Sequence, residues 1–205
     1  MIIPDPQVLS NPMKRYTTIF ARVKRLLTTP AKEWKVISEE KRTVTEVFFN
    51  FLLPFSILTM VACYIGYGIV GSKQDMFGLV ASEKLGFRYA FYYSLLLIIS
   101  IFVSASVFSF MAPFFQTNRN FNSNFRLIVY SFTPTMCATI LLIIPVFSPI
   151  VLIAGLYNLL LLYIGLDRMT NVQKSKKWSF FFTAIGVLAF IFFAVSKILY
   201  RIILD

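Results

Sequence analysis

Along this chain, positions free of Lys, Arg, Asp and Glu gather into four long stretches: Val47–Ser72, Tyr89–Asn118, Leu127–Leu166 and Trp178–Ser196. About 20 apolar residues carry a helix across the hydrocarbon core of a bilayer. The first, second and fourth stretches each match one crossing. The third is about twice the length of one crossing at 1.5 Å per residue, so it must double back. Ile144-Pro145-Val146-Phe147-Ser148-Pro149 supplies the break, because proline lacks an N–H and collides with the preceding helical turn. The pattern predicts an all-α membrane protein. Its five-span transmembrane helix bundle occupies 45–205, with spans at about 47–70, 89–114, 125–144, 150–166 and 178–199.

Ahead of the bundle the pattern changes. Residues 1–12 hold three prolines and no periodicity, which predicts a flexible tail. Over 13–44 the pattern predicts basic, amphipathic, interfacial helices on the cytoplasmic side. Tyr16, Ile19, Phe20, Val23, Leu26 and Leu27 recur at helical spacing, while Lys14, Arg15, Arg22, Lys24 and Arg25 fill much of the remainder. An apolar stripe opposite a basic face suits a helix lying in the headgroup layer, with those five cations binding anionic lipid. The same pattern also fits a helix docked on the inner loops. Thr28-Thr29-Pro30 ends this helix and starts another, since Thr caps an N-terminus and Pro suits the first helical position. The second helix runs to about Glu40 with Trp34 and Ile37 on one side. Glu39, Glu40, Lys41 and Arg42 read as a solvated junction. The first 46 residues offer no apolar run of signal length, so the first span is expected to act as a signal anchor.

Composition supports a lipid environment. The chain is 58% hydrophobic and 14% charged, with a mean hydropathy of +0.73. A soluble domain shows roughly 45–50% apolar and about 25% charged residues. A net charge of +11 would suggest nucleic acid in a soluble chain, but here the position of the basic residues matters more. With five spans, all but five of the 20 Lys and Arg fall on the side of the N-terminus; Lys73, Lys84, Arg88, Lys197 and Arg201 are the exceptions. Cytoplasmic loops collect Lys and Arg, so the N-terminus is expected inside and the C-terminus on the opposite side.

Candidate chemistry is sparse. The sequence has no histidine, which rules out Ser-His-Asp and Cys-His arrangements. It has no phosphate-binding glycine loop and no HExxH, and none of its nine acids falls in mid-span. No catalytic residue, cofactor or metal site is expected, and the chain does not read as an enzyme. Cys63 and Cys137 lie in apolar runs and read as small buried side chains. The polar or helix-bending positions inside spans are Asn50 and Pro54, Tyr130 and Pro134, and Tyr157 and Asn158. Such groups either tie helices together or line a lipid or solute path. Ala62 with Gly66, and Ala105 with Ser109, are small pairs one turn apart that allow close helix approach.

Two sets of residues carry a family resemblance. The stretch from Arg22 through Thr29-Pro30, Glu33-Trp34, Ile37 and Glu40 resembles the "TPxxEWxxIxxE" opening of bacterial Yip1 family proteins. A proline-containing first span follows. Tyr130-Ser131, Pro134, Ile144-Pro145, Gly155-Leu156-Tyr157-Asn158 and Tyr163-Ile164-Gly165-Leu166 resemble a later block of the same family. The resemblance covers about 20–200 and implies a five-span protein of the bacterial inner membrane with a cytoplasmic N-terminus. The chain lacks the "DLYGP" element of relatives associated with Rab GTPases, so Rab binding is not implied.

The expected function is that of a non-enzymatic membrane organiser or partner-recruiting scaffold, with a passive lipid or small-solute conduit as the alternative. Anionic membrane lipids are the expected partners. Protein partners cannot be named from the sequence, an oligomer is compatible with it, and nucleic acid is not expected.

Overall fold

The structure is a computed structural model describing residues 12–75, 78–115, 117, 120–170, 172 and 176–204, and the side chains of 12–18 and 72–80 lie outside the description. The expected tail over 1–12 therefore falls almost wholly outside the described residues. Among the described residues the first two helices are α1, Pro12–Thr28, and α2, Pro30–Glu39. A third, α3, runs over Val44–Val70. Thr43 caps it reciprocally with Glu46: the Thr43 hydroxyl accepts from the Glu46 N–H, and the Glu46 carboxylate accepts from the Thr43 N–H.

Helix α3 widens where Pro54 cannot donate to the Asn50 carbonyl. Phe48–Leu52 takes the wider π form, and the Leu53 N–H bonds to the Phe48 carbonyl five residues back. A second π segment, Tyr64–Val70, ends at Gly71, whose φ of 89° suits a residue without Cβ. A two-stranded antiparallel ribbon follows, pairing β1, Ser72–Asp75, with β2, Gly78–Val80. Hydropathy alone did not predict it, since three or four residues carry no period.

Helix α4, Glu83–Met111, starts before the expected 89 because Glu83, Lys84 and Arg88 continue the helix beyond the apolar stretch. The segment expected as one helix over 125–144 is a bent pair. Its halves are α5, Phe121–Ser131, and α6, Thr133–Ala138, which tightens into a 3-10 turn over Thr139–Ile143; the bend is 43°. Pro134 causes it: it cannot donate to the Tyr130 carbonyl, which accepts from the Thr133 hydroxyl at 2.8 Å instead. The predicted proline break lies at Ile144–Phe147. Beyond it runs α7, Ser148–Met169, and then α8, Lys177–Ile203.

Among the described residues, four helices are long and apolar enough to cross a membrane: Val44–Val70, Glu83–Phe115, Pro145–Met169 and Lys177–Ile203. The bent pair α5–α6 passes the same criterion taken together. Their lipid-side residues are large and exposed, including Leu152, Leu156, Phe190 and Phe193. In lipid such exposure costs nothing. Association rests instead on close packing and interhelical hydrogen bonds. Ser56 meets Ser94 at 2.6 Å, Thr59 meets Thr139 at 2.7 Å, Asn124 donates to Ser109 at 2.9 Å, and Tyr92 meets Ser196 at 2.6 Å. Each small pair marked in the sequence sits at such a contact. Gly66 abuts the Leu142 backbone, and Ser109 carries the bond to α5.

A buried ion cluster beneath a basic face

The α1–α2 hairpin folds back onto the bundle. From α1, Leu26 enters the main core; from α2, Trp34 and Ile37 do so, one turn apart. Glu33 lies on the same side of α2 and is also buried. A buried carboxylate must be paired, and the pairing comes from α1. Arg25 Nε donates to Glu33 at 2.5 Å, while Arg22 Nε lies 3.4 Å from the other Glu33 oxygen.

Arg22 is the centre of the cluster. It is 4% exposed, contrary to the headgroup position expected from the sequence. Its two terminal nitrogens grip both oxygens of Glu40, Nη1 at 2.9 Å, and Nη1 also donates to the Tyr130 hydroxyl at 3.0 Å. Arg42 Nε approaches Glu40 at 2.9 Å. The expected solvated junction is thus half-buried at Glu40 and Arg42 and is part of the cluster. Arg126, from α5, donates to the backbone carbonyls of Ile37, at 3.1 Å, and Glu40. Cations favour a helix C-terminus, and this one ends α2.

The electrostatics follow from this geometry. Burial alone would push the Glu40 carboxyl up, but the Arg22 hydrogen bond and the charges of Arg22, Arg42 and Arg126 outweigh it and hold it below the usual carboxylate range. Burial would lower Arg22, yet Glu40, the Tyr130 oxygen and Glu33 outweigh that and raise it. Both groups stay ionised.

Beside the ions, the Trp34 indole lies on Gly165. A Cβ there would fall 2.7 Å from Trp34 Cζ2 and 2.6 Å from Leu127 Cδ1, so the indole docks only against a glycine. The Trp34 Nε1–H has no acceptor among the described residues. That costs about 1–3 kcal/mol, which burial of the ring must exceed. Further along α7, Tyr157 donates to the Leu27 carbonyl at 2.8 Å and fastens the end of α1.

Asn158 is held at both ends of its amide by Thr135. Its oxygen accepts from the Thr135 N–H at 3.2 Å, and its nitrogen donates to the Thr135 hydroxyl at 2.7 Å. Asn158→Leu should therefore cost about 0.6 kcal/mol, and at most about 1.7 kcal/mol, the range for hydrogen bonds between membrane helices. Thermal unfolding in detergent would measure it; a loss of several kcal/mol would show that the amide does more than tie α6 to α7.

The structure brings Tyr130, Pro134, Tyr157 and Asn158 together around the α5–α6 bend. Asn50 and Pro54 sit half-buried in the first turns of α3, which meets Tyr130 through the edge of Phe51, with ring centres 4.9 Å apart. Of the five basic residues marked for the membrane surface, Lys24 and Arg25 are exposed and Arg22 is buried; the Lys14 and Arg15 side chains lie outside the described residues. Glu33, Glu40, Arg126 and Gly165 were not among the candidates. The signal available for the two acids is their spacing with Ile37 on the apolar side of α2. Below the hairpin a groove of about 500 Å³ opens between α6 and α7, lined by Leu27, Pro134, Cys137, Ala138, Leu141 and Ala154 among others.

No curated protein and no solved structure matches the chain. The Yip1 domain, as a family, matches residues 24–196. That match takes in the hairpin from Lys24 onward, Glu33, Trp34 and Glu40, the α5–α6 bend and the Gly165 contact. The chain belongs to the Yip1 family of membrane proteins.

Proposed function

We propose that this chain is a non-enzymatic membrane organiser, a five-span bundle that holds a basic helical hairpin against one leaflet as a scaffold for anionic lipid or for partners. The observation that carries this reading is the outer face of the hairpin. Lys24, Arg25, Lys32, Lys35 and Lys41 are exposed there, interrupted by the single acid Glu39. The apolar positions that could have inserted elsewhere, Leu26, Trp34 and Ile37, are taken up by docking. The bundle therefore presents the charge in a fixed place.

The bent pair α5–α6 counts as one of the five spans in this reading, as its combined length allows. The excess of Lys and Arg supports a cytoplasmic N-terminus, and the inner membrane of a bacterium is the proposed location. Each cation near an anionic surface contributes about 1 kcal/mol at low salt.

The test uses full-length protein in vesicles of mixed neutral and anionic phospholipid. Enrichment of a fluorescent anionic lipid around the protein should fall with salt. It should be lost when Lys24, Lys32, Lys35 and Lys41 are all changed to Glu. Enrichment indifferent to both would sink the reading. A lipid or small-solute conduit is the second reading, favoured by the apolar groove below the hairpin; it requires flux in the same vesicles that Ala154→Phe blocks.

A further inference from the structure

The contacts of the hairpin fix its depth against two helices independently. On α7, Trp34 lies against Gly165, while the end of α1 is bonded to Tyr157. Those two positions are eight residues apart, about 12 Å along the helix. The Thr28–Thr29 tip, five residues along α2 from Trp34, is thus about 7–8 Å deeper in the bundle than Trp34, and the Tyr157 side chain reaches back to it. On α5, Arg126 holds the end of α2, and Arg22 meets Tyr130 one turn further in, about 6 Å. From Arg22 to Leu27, α1 advances five more residues, about 7 Å. The tip thus lies roughly 13 Å beyond the level of Arg126 and about 7–8 Å beyond that of Gly165. That level carries the charged ends of the neighbouring spans: Asp167 pairs with Lys177, and Trp178 lies against Tyr163, with ring centres 5.3 Å apart.

From this geometry we infer that the α1–α2 hairpin is sunk into the hydrocarbon of the leaflet on its own side, its tip against phospholipid acyl chains. The inference rests on α7 spanning the membrane, as proposed above. Three observations at the tip agree with it. Thr28 and Thr29 are exposed, yet their hydroxyls turn back to the Lys24 and Arg25 carbonyls, at 2.8 and 3.3 Å. Polar groups in hydrocarbon must be satisfied within the protein in this way. The Leu27 carbonyl takes the Tyr157 hydroxyl, and Pro30 has no N–H to leave unpaired. Leu27 is exposed at the tip, where acyl chains would cover it, while Phe20 and Val36 are exposed two turns further out, towards the headgroups. Lys24 and Lys32 stand about one turn from the tip, close enough for their stems to run up to headgroup phosphates. This combination of an exposed Leu27 and self-satisfied threonines below a ring of lysines selects anionic phospholipid over a water-soluble partner.

Site-directed labelling tests the insertion on the full chain in vesicles, with Cys63 and Cys137 replaced by Ala and a charged maleimide supplied on both sides. Thr28→Cys should react at least about tenfold more slowly than Lys41→Cys, and about as slowly as Ile153→Cys on the lipid face of α7. Thr29→Cys gives the same reading should Thr28→Cys fail to assemble. Labelling of Thr28→Cys as fast as Lys41→Cys, with Ile153→Cys still protected, overturns the insertion and leaves the span intact. Rapid labelling of Ile153→Cys as well overturns both.

Discussion

Exchange of Arg22 for Met should release the α1–α2 hairpin from the bundle at a cost of about 3–5 kcal/mol, the usual loss when one partner of a buried ion pair is removed. Arg22 joins both acids of the cluster and also donates to Tyr130. Without it, Glu33 keeps Arg25 and Glu40 keeps Arg42, but each loses a neutralising neighbour in a largely buried site. Trypsin offers the direct measurement, since Lys24, Lys32 and Lys35 become cleavable once the helices undock. Digestion of the variant at the wild-type rate would show that other contacts hold the hairpin. Arg22→Lys should fall between the two, because an ammonium keeps the charge but cannot grip both Glu40 oxygens.

The same cluster sets a pH dependence. The Glu40 carboxyl sits below its ordinary value in the folded chain, so its contribution is complete above the unfolded value and is lost as pH falls through the depressed one. Arg22 is raised and stays charged throughout. Docking should therefore hold level from about pH 5 to 9 and weaken only in stronger acid. Loss of protection near neutral pH would contradict this assignment.

The second large effect belongs to Trp34. Trp34→Ala should cost about 3–5 kcal/mol, since the side chain is fully buried and its neighbours cannot close over the space. Gly165→Leu attacks the same contact from α7, placing a side chain where the indole lies. The chain has two tryptophans, and the other, Trp178, is exposed, so a Trp178→Phe background isolates the Trp34 emission. Gly165→Leu should red-shift that emission as the ring leaves the core. An unchanged spectrum would mean that α2 is held without this contact.

The apolar helices were legible in the sequence because span length and proline breaks are local properties. The reversal at Ile144–Phe147 was equally local, resting on Pro145 and Pro149. The bend at Phe132 was harder to read, although Pro134 was visible, because its angle depends on how Thr133 and Asn158 take up the freed backbone groups. The hairpin was legible as two helices joined at Thr29-Pro30, but not as a docked element. Apolar spacing on α1 marks Phe20 and Leu26 alike, whereas only Leu26 is buried. Choosing between them requires knowing which side meets α5 and α7. The ion cluster escaped for the same reason: Glu40 and Arg42 look like any charged junction until Arg22 and Arg126 are brought against them.

Separation along the chain has a consequence for biosynthesis. The hydrogen bond from Arg22 to Tyr130 joins residues 108 apart. At about 5–20 residues per second of translation, the Tyr130 codon is reached roughly 5–20 s after that of Arg22. During that interval Glu33 and Glu40 have only Arg22, Arg25 and Arg42 of the same N-terminal segment for company, and α3 and α4 must be threaded into the bilayer with the hairpin still loose. The nascent chain thus passes through a stage in which its whole basic segment is free at the membrane surface. Its final position is set only when α5 arrives to receive it.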